Sequence, residues 1–452
     1  MPRVMVIGLD CAPPALVFDR LRPRLPHLSA LMRRGAHGPL RSVAPPITVP
    51  AWACMVSGRD PGELGLYGFR NRIPGETRLA VSDGSAVAAP RVWNVAGDAG
   101  RSVAVLYVPL TSPPTPVHGV MVCGFLGGDG PFTHPPELGA ALEAEHGPHA
   151  PDVTEFRTDD VDGLLDELYD TGRQHFAVAR QMWVERRPDF LMMVEMGTDR
   201  IHHAMWKHLD PSHPEHDPDD RLVREAEDYY AFLDAELGAL VELADEDTAI
   251  LVVSDHGART MVGGVRVNQW LIDQGWLTLQ EPVDGPLTHD HIDWSNTRAW
   301  ATGGYYARVF LNVAGREPEG VVTDVESTTR ELVAALEAMR GPDGGLLGVS
   351  ARRPKDMYRT VNGFPPDLLV FLGDLDYRAL GTVGGPLFTT HDDRGPDGCN
   401  HDWDGIFIAA GAGVAARGSL SGLSIHDVGP TALALLDVAT PEGWLGVDRS
   451  GG

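Results

Sequence analysis

The sequence predicts an α/β fold with a mostly parallel central sheet covered on both faces. Two observations carry this. Short apolar runs alternate with longer amphipathic stretches along the chain. The runs are nearly continuous in apolar residues, as strands buried on both faces are. Composition agrees, because 43% of the 452 residues are hydrophobic and 22% charged, which excludes a disordered chain.

The elements follow in order. Residues 4–8 form an apolar strand that leads into Leu9-Asp10, an acid at its C-terminal end. Residues 25–34 read as a helix stopped by Gly35. A Pro-rich loop over 44–50 enters a helix at 51–56. A short helix at 92–96 precedes strands at 102–108 and 120–125. Residues 163–186 and 222–244 are long amphipathic helices. Between them lies a strand at 190–195, followed by Gly197-Thr198-Asp199. A strand at 248–254 ends in Asp255-His256-Gly257. Residues 298–302 and 306–312 form a hairpin around Gly303-Gly304. A helix at 322–339, strands at 367–372 and 405–410, and a helix at 425–436 complete the chain.

Charge narrows the partners. The 37 Lys and Arg stand against 63 Asp and Glu, a net charge of −26. That surface repels nucleic-acid backbones and anionic lipid, so neither is an expected partner. An anionic substrate needs local attraction instead, which bound cations supply. No apolar run reaches the roughly 18 residues of a membrane span. The N-terminus reads as a strand and not as a signal peptide. Cys11, Cys54, Cys123 and Cys399 form no C-x-x-C pair, and a reducing cytoplasm is the expected location. Nothing in the sequence marks a symmetric interface, so the oligomeric state stays open.

Acids and imidazoles recur where strands end, the place where open α/β sheets bind ligands. Asp10, Asp199, Asp255 and His256 are so placed, and His203 follows Asp199 by one helical turn. His401 lies in a Gly/Pro/Asp loop before the strand at 405–410, with His391 as its rival in the same loop. Asp and neutral His suit zinc and also manganese, and six such residues suffice for two metals. Thr48, in an exposed-looking loop before a helix N-terminus, offers a hydroxyl nucleophile. Each residue also has a plain structural reading. Asp10 suits a helix cap, Thr48 a backbone-bonding loop residue, and Asp199 with His203 a surface pair. His202 reads as a neighbour of the cluster, and His208, His213 and His216 as solvated.

Taken in order, these segments resemble the alkaline phosphatase superfamily, and within it the type I phosphodiesterase/nucleotide pyrophosphatase branch and a bacterial group of phosphohydrolases or phosphomutases. The resemblance runs through Val4-Met5-Val6-Ile7-Gly8-Leu9-Asp10, then Pro45-Pro46-Ile47-Thr48-Val49-Pro50-Ala51-Trp52. It continues through Gly58, Pro61 and Gly65, Thr198-Asp199-Arg200-Ile201-His202-His203, Ser254-Asp255-His256-Gly257 and Asn400-His401. It implies a three-layer α/β/α sandwich, with residues 110–186 and 270–366 as insertions forming a cap. It implies one metal on Asp199, His203 and His401, and another on Asp10, Asp255, His256 and the Thr48 hydroxyl. Thr48 matches the residue that becomes phosphorylated.

The chain also departs from that pattern. Leu64-Gly65 stands where these phosphodiesterases have His-Gly, and Phe69 stands near their phosphate-contacting Asn. Asn71, two residues later, is the expected substitute for substrate contact. The expected activity is hydrolysis of a small phosphodiester, with a phosphomonoesterase or phosphomutase on the same site as the alternative. A monoesterase would need an extra cation, for which Arg59, Arg70 and Arg72 are the candidates. A metal-binding protein without catalysis is the remaining reading. Neither Cys11 nor Cys54 has the C/S-x-P-x-R context of a sulfatase, and both read as inert buried residues.

Overall fold

The computed structural model describes every residue except Pro74, Gly75, Gly127, Asp129 and Gly452. Its central sheet is framed by β1 (Arg3–Leu9), β2 (Ala36–Arg41), β3 (Val103–Leu106), β4 (Gly119–Val122), β5 (Phe190–Glu195), β6 (Thr248–Val253) and β7 (Asp404–Gly411). Their spatial order is β2-β7-β6-β1-β5-β3-β4. The run from β6 to β4 is parallel, and β7 is antiparallel to both β6 and β2. The sheet is therefore mostly parallel, with β1 near its middle.

Helices α1 (Pro26–Arg34), α2 (Thr48–Ser57), α3 (Val92–Asp98), α4 (Val161–Arg186), α5 (Gly197–Leu209), α6 (Arg221–Val241) and α7 (Val428–Leu435) cover the sheet. The alternation of side chains along a strand separates two cores. Met5, Ile7 and Leu9 of β1 face Leu28, Phe176, Met182 and Leu233 of α1, α4 and α6. Val4 and Val6 face Trp52, Met55, Trp93 and Leu433 of α2, α3 and α7. Three layers result, because β1 is apolar on both faces and each face needs a helical cover.

Residues 110–186 divide between two roles, because Phe125, Phe156 and Arg157 line a cavity whereas α4 belongs to the core. Helix α4 packs through Phe176, Ala179 and Met182 into the core on the sheet, so this part is a structural layer and not a cap. A smaller unit with its own core follows β6. Its antiparallel sheet has the order Ala299–Thr302, Ala307–Leu311, Leu368–Phe371, Ser350–Arg352. Helix Val325–Glu337 packs on it through Leu332 and Leu336, beside Trp270, Trp276 and Phe310. The hairpin around Gly303-Gly304 forms as expected, with Thr302 opposite Arg308.

Two strands escape the pattern of apolar runs. In β2, Pro39 falls in the gap between two short parallel partners, at Ala36-His37 and at Leu40-Arg41. Its missing N–H is not needed there. Strand Cys399–Asp402 pairs antiparallel with Gly257–Thr260 and sets His401 opposite Ala258. His401 therefore stands on a strand and not in a loop.

Candidate metal centre and active site

Three aspartates meet at the C-terminal edge of the sheet. Asp10 follows β1, Asp255 follows β6, and Asp199 lies in the first turn of α5. Each is buried and uses one carboxylate oxygen to hold its position. Trp52 Nε1 donates to Asp10 Oδ2 at 2.6 Å. The Cys11 N–H donates to Asp255 Oδ1 at 3.2 Å. Arg200 Nη1 donates to Asp199 Oδ2 at 2.7 Å. The other oxygens, Asp10 Oδ1, Asp199 Oδ1 and Asp255 Oδ2, are buried without any hydrogen-bond partner. Thr198 Oγ1 donates to the Asp10 carbonyl at 2.6 Å and ties α5 to the end of β1.

Imidazole nitrogens face these orphaned oxygens. His203 Nε2 lies 3.3 Å from Asp199 Oδ1, and its Nδ1 lies 3.0 Å from Asp397 Oδ1. His401 Nε2 lies 3.5 Å from Asp199 Oδ1 and 3.3 Å from His203 Nε2. His256 Nε2 lies 3.2 Å from Asp255 Oδ2, 3.7 Å from Asp10 Oδ1 and 3.3 Å from Thr48 Oγ1. A carbonyl only accepts, so the nitrogen beside it carries the proton. His256 Nδ1 donates to the Gly257 carbonyl at 3.1 Å, and His401 Nδ1 to the Pro46 carbonyl at 3.0 Å. Their Nε2 lone pairs therefore point at carboxylate lone pairs. That arrangement repels itself unless a cation lies between, and it is the outer-sphere pattern of histidines prepared for a metal.

The residues thus fit divalent cations in two groups, Asp199 with His203 and His401, and Asp10 with Asp255 and His256. The proton affinities point the same way. Burial first, then the neighbouring acids, pushes the carboxyls of Asp10 and Asp255 well above the usual range. Burial lowers His256 and brings His401 down to about 4, so both imidazoles stay neutral. Burial opposes the charge on Asp199 also, but His203, His401 and Arg200 together outweigh it and hold that carboxyl low. Against burial, the charges of Asp397 and Asp199 hold His203 high in the absence of metal.

Thr48 is the first residue of α2 and is buried, not exposed as the sequence suggested. Its hydroxyl sits beside the second group, at the helix N-terminus. Asp10, Thr48, Asp199, His203, Asp255, His256 and His401 are therefore gathered in one place. Asn71 is engaged elsewhere. Its Oδ1 accepts from the Tyr67 N–H at 2.7 Å, and its Nδ2 donates to the Gly68 carbonyl and to Ser82 Oγ. An amide spent on bracing its own loop has nothing left for a phosphate, so substrate contact by Asn71 is not supported. Arg59 pairs with Glu63 and buried Arg72 with Glu317, which leaves Arg70 of the three arginines facing the cavity.

The sequence reading missed several contributors. Trp52 stands four residues after Thr48 on the same helix, a spacing that was readable. Gly8 makes room for it, because a Cβ there would lie 2.5 Å from Trp52 Cη2. Asp397 fixes the His203 ring, and Tyr305 reaches in from the smaller unit. The Tyr305 hydroxyl lies 3.1 Å from His203 Nε2, and its ring stacks on His401 at 3.7 Å between centroids. Neither had a local signal. His202 is a neighbour, bonded to the Tyr230 hydroxyl at 2.7 Å. His208 is buried beside Asp220 and not solvated as expected. A cavity of about 670 Å³ opens beside the cluster, walled in part by Ile47, Phe125, Phe156, Arg200 and Tyr305.

A buried Asp/His cluster with a hydroxyl at the strand ends of a three-layer α/β fold defines a metal-dependent hydrolase of phosphate esters. The chain belongs to the type I phosphodiesterase/nucleotide pyrophosphatase family, whose model matches residues 4–399. Three solved structures show the same fold. Phosphonoacetate hydrolase from Sinorhizobium meliloti 1021 in complex with phosphonoformate has a TM-score of 0.62 at 18% identity, over 97% of this chain and 96% of that one. Human ectonucleotide pyrophosphatase/phosphodiesterase 5 has a TM-score of 0.57 at 14% identity, over 97% and 96%. An inactive threonine-to-alanine variant of the murine form, in complex with AMP, has a TM-score of 0.59 at 13% identity, over 98% and 97%. No curated protein sequence matches the chain. No described helix is long and apolar enough to cross a membrane.

Proposed function

We propose that this chain is a two-metal phosphodiesterase that uses Thr48 as its nucleophile on a small phosphate diester. Asp199, His203 and His401 would hold one cation. Asp10, Asp255, His256 and the Thr48 hydroxyl would hold the other. Zinc suits this Asp/His set best and manganese is acceptable. When bound, the two cations supply Lewis-acid stabilisation of charge on the attacking and leaving oxygens. The observation that carries the reading is the set of orphaned oxygens on Asp10, Asp199 and Asp255, turned toward imidazole nitrogens beside a buried hydroxyl.

The residues of the chain divide the work. Thr48 Oγ1 bonds to phosphorus as the bond to the leaving alcohol breaks. The hydroxyl proton passes to solvent, and the departing alkoxide takes one back. Water then attacks the phosphothreonine, the bond from phosphorus to Oγ1 breaks, and Thr48 regains its proton. The N-terminus of α2 directs partial positive charge at the phosphoryl oxygens. Burial of Thr48 keeps bulk water from competing with it. Asp397 and the Pro46 and Gly257 carbonyls orient the imidazoles. The smaller unit, around residues 270–366, caps the cavity. The inactive threonine variant of the murine relative and the phosphonate complex of the hydrolase support both the nucleophile and a small phosphorus-bearing substrate.

Hydrolysis of bis-p-nitrophenyl phosphate and of p-nitrophenyl phosphate by protein stripped and reloaded with zinc or manganese tests this. The expected result is preference for the diester, with turnover abolished in Thr48→Ala while that variant still binds metal. Near-normal activity in Thr48→Ala overturns the nucleophile. Preference for the monoester overturns the diesterase. No turnover despite bound metal overturns the enzymatic reading.

A further inference from the structure

The cavity beside the cluster has a charge opposite to that of the molecule around it. Four arginines in its wall, Arg78, Arg157, Arg200 and Arg378, are each matched by a carboxylate within 4.0 Å. Three more, Arg70, Arg308 and Arg394, also line it, and no described carboxylate lies within 4.0 Å of any of them. In a chain of net charge −26, with 63 acids for 37 bases, a cavity wall that holds seven arginines and one acid, Asp392, is a local exception.

Arg308 is the strongest of the three. It stands on strand Ala307–Leu311 of the smaller unit and is only 9% exposed. Its side-chain hydrogen bond goes to a neutral acceptor, the Arg70 carbonyl. Burial, and then the like charges of Arg70 and Arg394, hold its guanidinium below the usual arginine range. Gly68 leaves the space it occupies, because a Cβ there would lie 3.2 Å from Arg308 Nη1. A buried guanidinium held beside two like charges is costly unless an anion completes it. None of the three arginines bonds to a residue of the metal cluster, whereas Tyr305, in the same wall, touches both His203 and His401.

We infer that this cavity is a specificity subsite for a second anionic group of the substrate, a carboxylate or a phosphate monoester, gripped by Arg70, Arg308 and Arg394 while the first phosphoryl group reacts at Thr48. The inference rests on the proposed reaction for its second clause only. It narrows the substrate to a phosphate ester whose alcohol carries a remote negative charge.

The test uses the metal-loaded protein and three p-nitrophenyl diesters whose second alcohol ends in a methyl, a carboxylate or a phosphate monoester. The reading is the ratio of kcat/KM for each charged tail to that for the methyl tail, taken within one enzyme. The expected ratio is about tenfold or more in the wild type, the size of a charge-assisted contact. It is expected to fall toward unity in Arg70→Gln/Arg394→Gln, whose side chains are exposed and whose replacement spares the core. Which tail gives the larger ratio assigns carboxylate or phosphate. In parallel, pentanoate, pentyl phosphate and pentanol are titrated against tryptophan fluorescence, because Trp294 and Trp300 line the cavity. Quenching by the anions alone, weakened about tenfold in the variant, establishes the subsite even if no diester turns over, and then only the proposed reaction fails. Ratios near unity in the wild type, or anion binding unaltered by the variant, overturn the subsite. Arginines that grip the reacting phosphoryl itself would give that result.

Discussion

Trp52→Phe separates the architecture of the site from its chemistry. Among the described residues the indole N–H is the only donor to the Asp10 carboxylate, and it lies 2.6 Å from Oδ2. Phenylalanine removes it and leaves both oxygens of a buried carboxylate unpartnered, since Oδ1 has no donor already. The lost charge-assisted bond is worth about 1.5–3 kcal/mol. The smaller ring leaves a void in a fully buried position, for about 1–2 kcal/mol more. Metal-free protein should therefore lose about 2.5–5 kcal/mol of stability. The effect on metal follows from the proton. Burial, then the charge of Asp199, raises the Asp10 pKa, and the Trp52 bond is the first of two influences that lower it, ahead of the Arg200 charge. Without that bond the carboxyl holds its proton to still higher pH, and the proton competes with the cation. Zinc affinity should fall about 10- to 100-fold, and further at pH 6 than at pH 8. Competition with a chelator at both pH values, beside urea unfolding in chelator, measures the two effects. A variant that is destabilised but keeps wild-type zinc affinity at both pH values would refute the role given to Trp52.

The other expectations are independent of that one. In Gly8→Ala the new Cβ meets Trp52 Cη2 at 2.5 Å and Val194 Cγ2 at 2.9 Å, so urea unfolding should show a loss of about 1–3 kcal/mol from overpacking. Combined with Trp52→Phe the losses should be less than additive, because the smaller ring relieves the clash. Glu317→Ala strands buried Arg72, whose partner oxygen lies at 2.6 Å, and should cost about 3–5 kcal/mol by the same assay. Burial lowers the His175 pKa, but Glu195, at 2.9 Å, together with the Ala150 carbonyl and Asp152, outweighs it and raises the pKa. Its contribution to stability is thus complete below the unfolded value of about 6.5 and is lost as pH rises through the folded value. His175→Gln should flatten the stability profile in that window, and an unchanged slope would exclude the pair as its source.

Strands β1, β5 and β6 were legible because each is buried on both faces and so appears as a plain apolar run. Acids that end such runs were legible for the same reason, since the run itself marks the edge of the sheet. What failed has physical causes too. Cys399–Asp402 is a strand of small and polar residues whose partner, Gly257–Thr260, lies about 140 residues away, and no local pattern encodes that pairing. Thr48 looked exposed because prolines precede it, yet α2 is buried along its whole length. His208 looked solvated from its Pro/Asp-rich neighbours, although it is buried. Asn71 was the amide nearest to an offset in a motif, two residues beyond it, but its loop engages both of its side-chain polar atoms. Arg308 stood as an ordinary strand residue, and only the assembled wall shows that it lacks a carboxylate among the described residues.

The placement of Tyr305 has an evolutionary consequence. One residue of the smaller unit is both a wall of the substrate cavity and the aromatic cover of two imidazoles. On the proposed reaction, selectivity and metal retention cannot then drift separately. A lineage that exchanged this unit for another would also exchange the packing around His203 and His401. A designed chimera that aims only at a new substrate should carry residues 303–306 across the junction unchanged, or the scaffold will lose its grip on its ions along with its old preference.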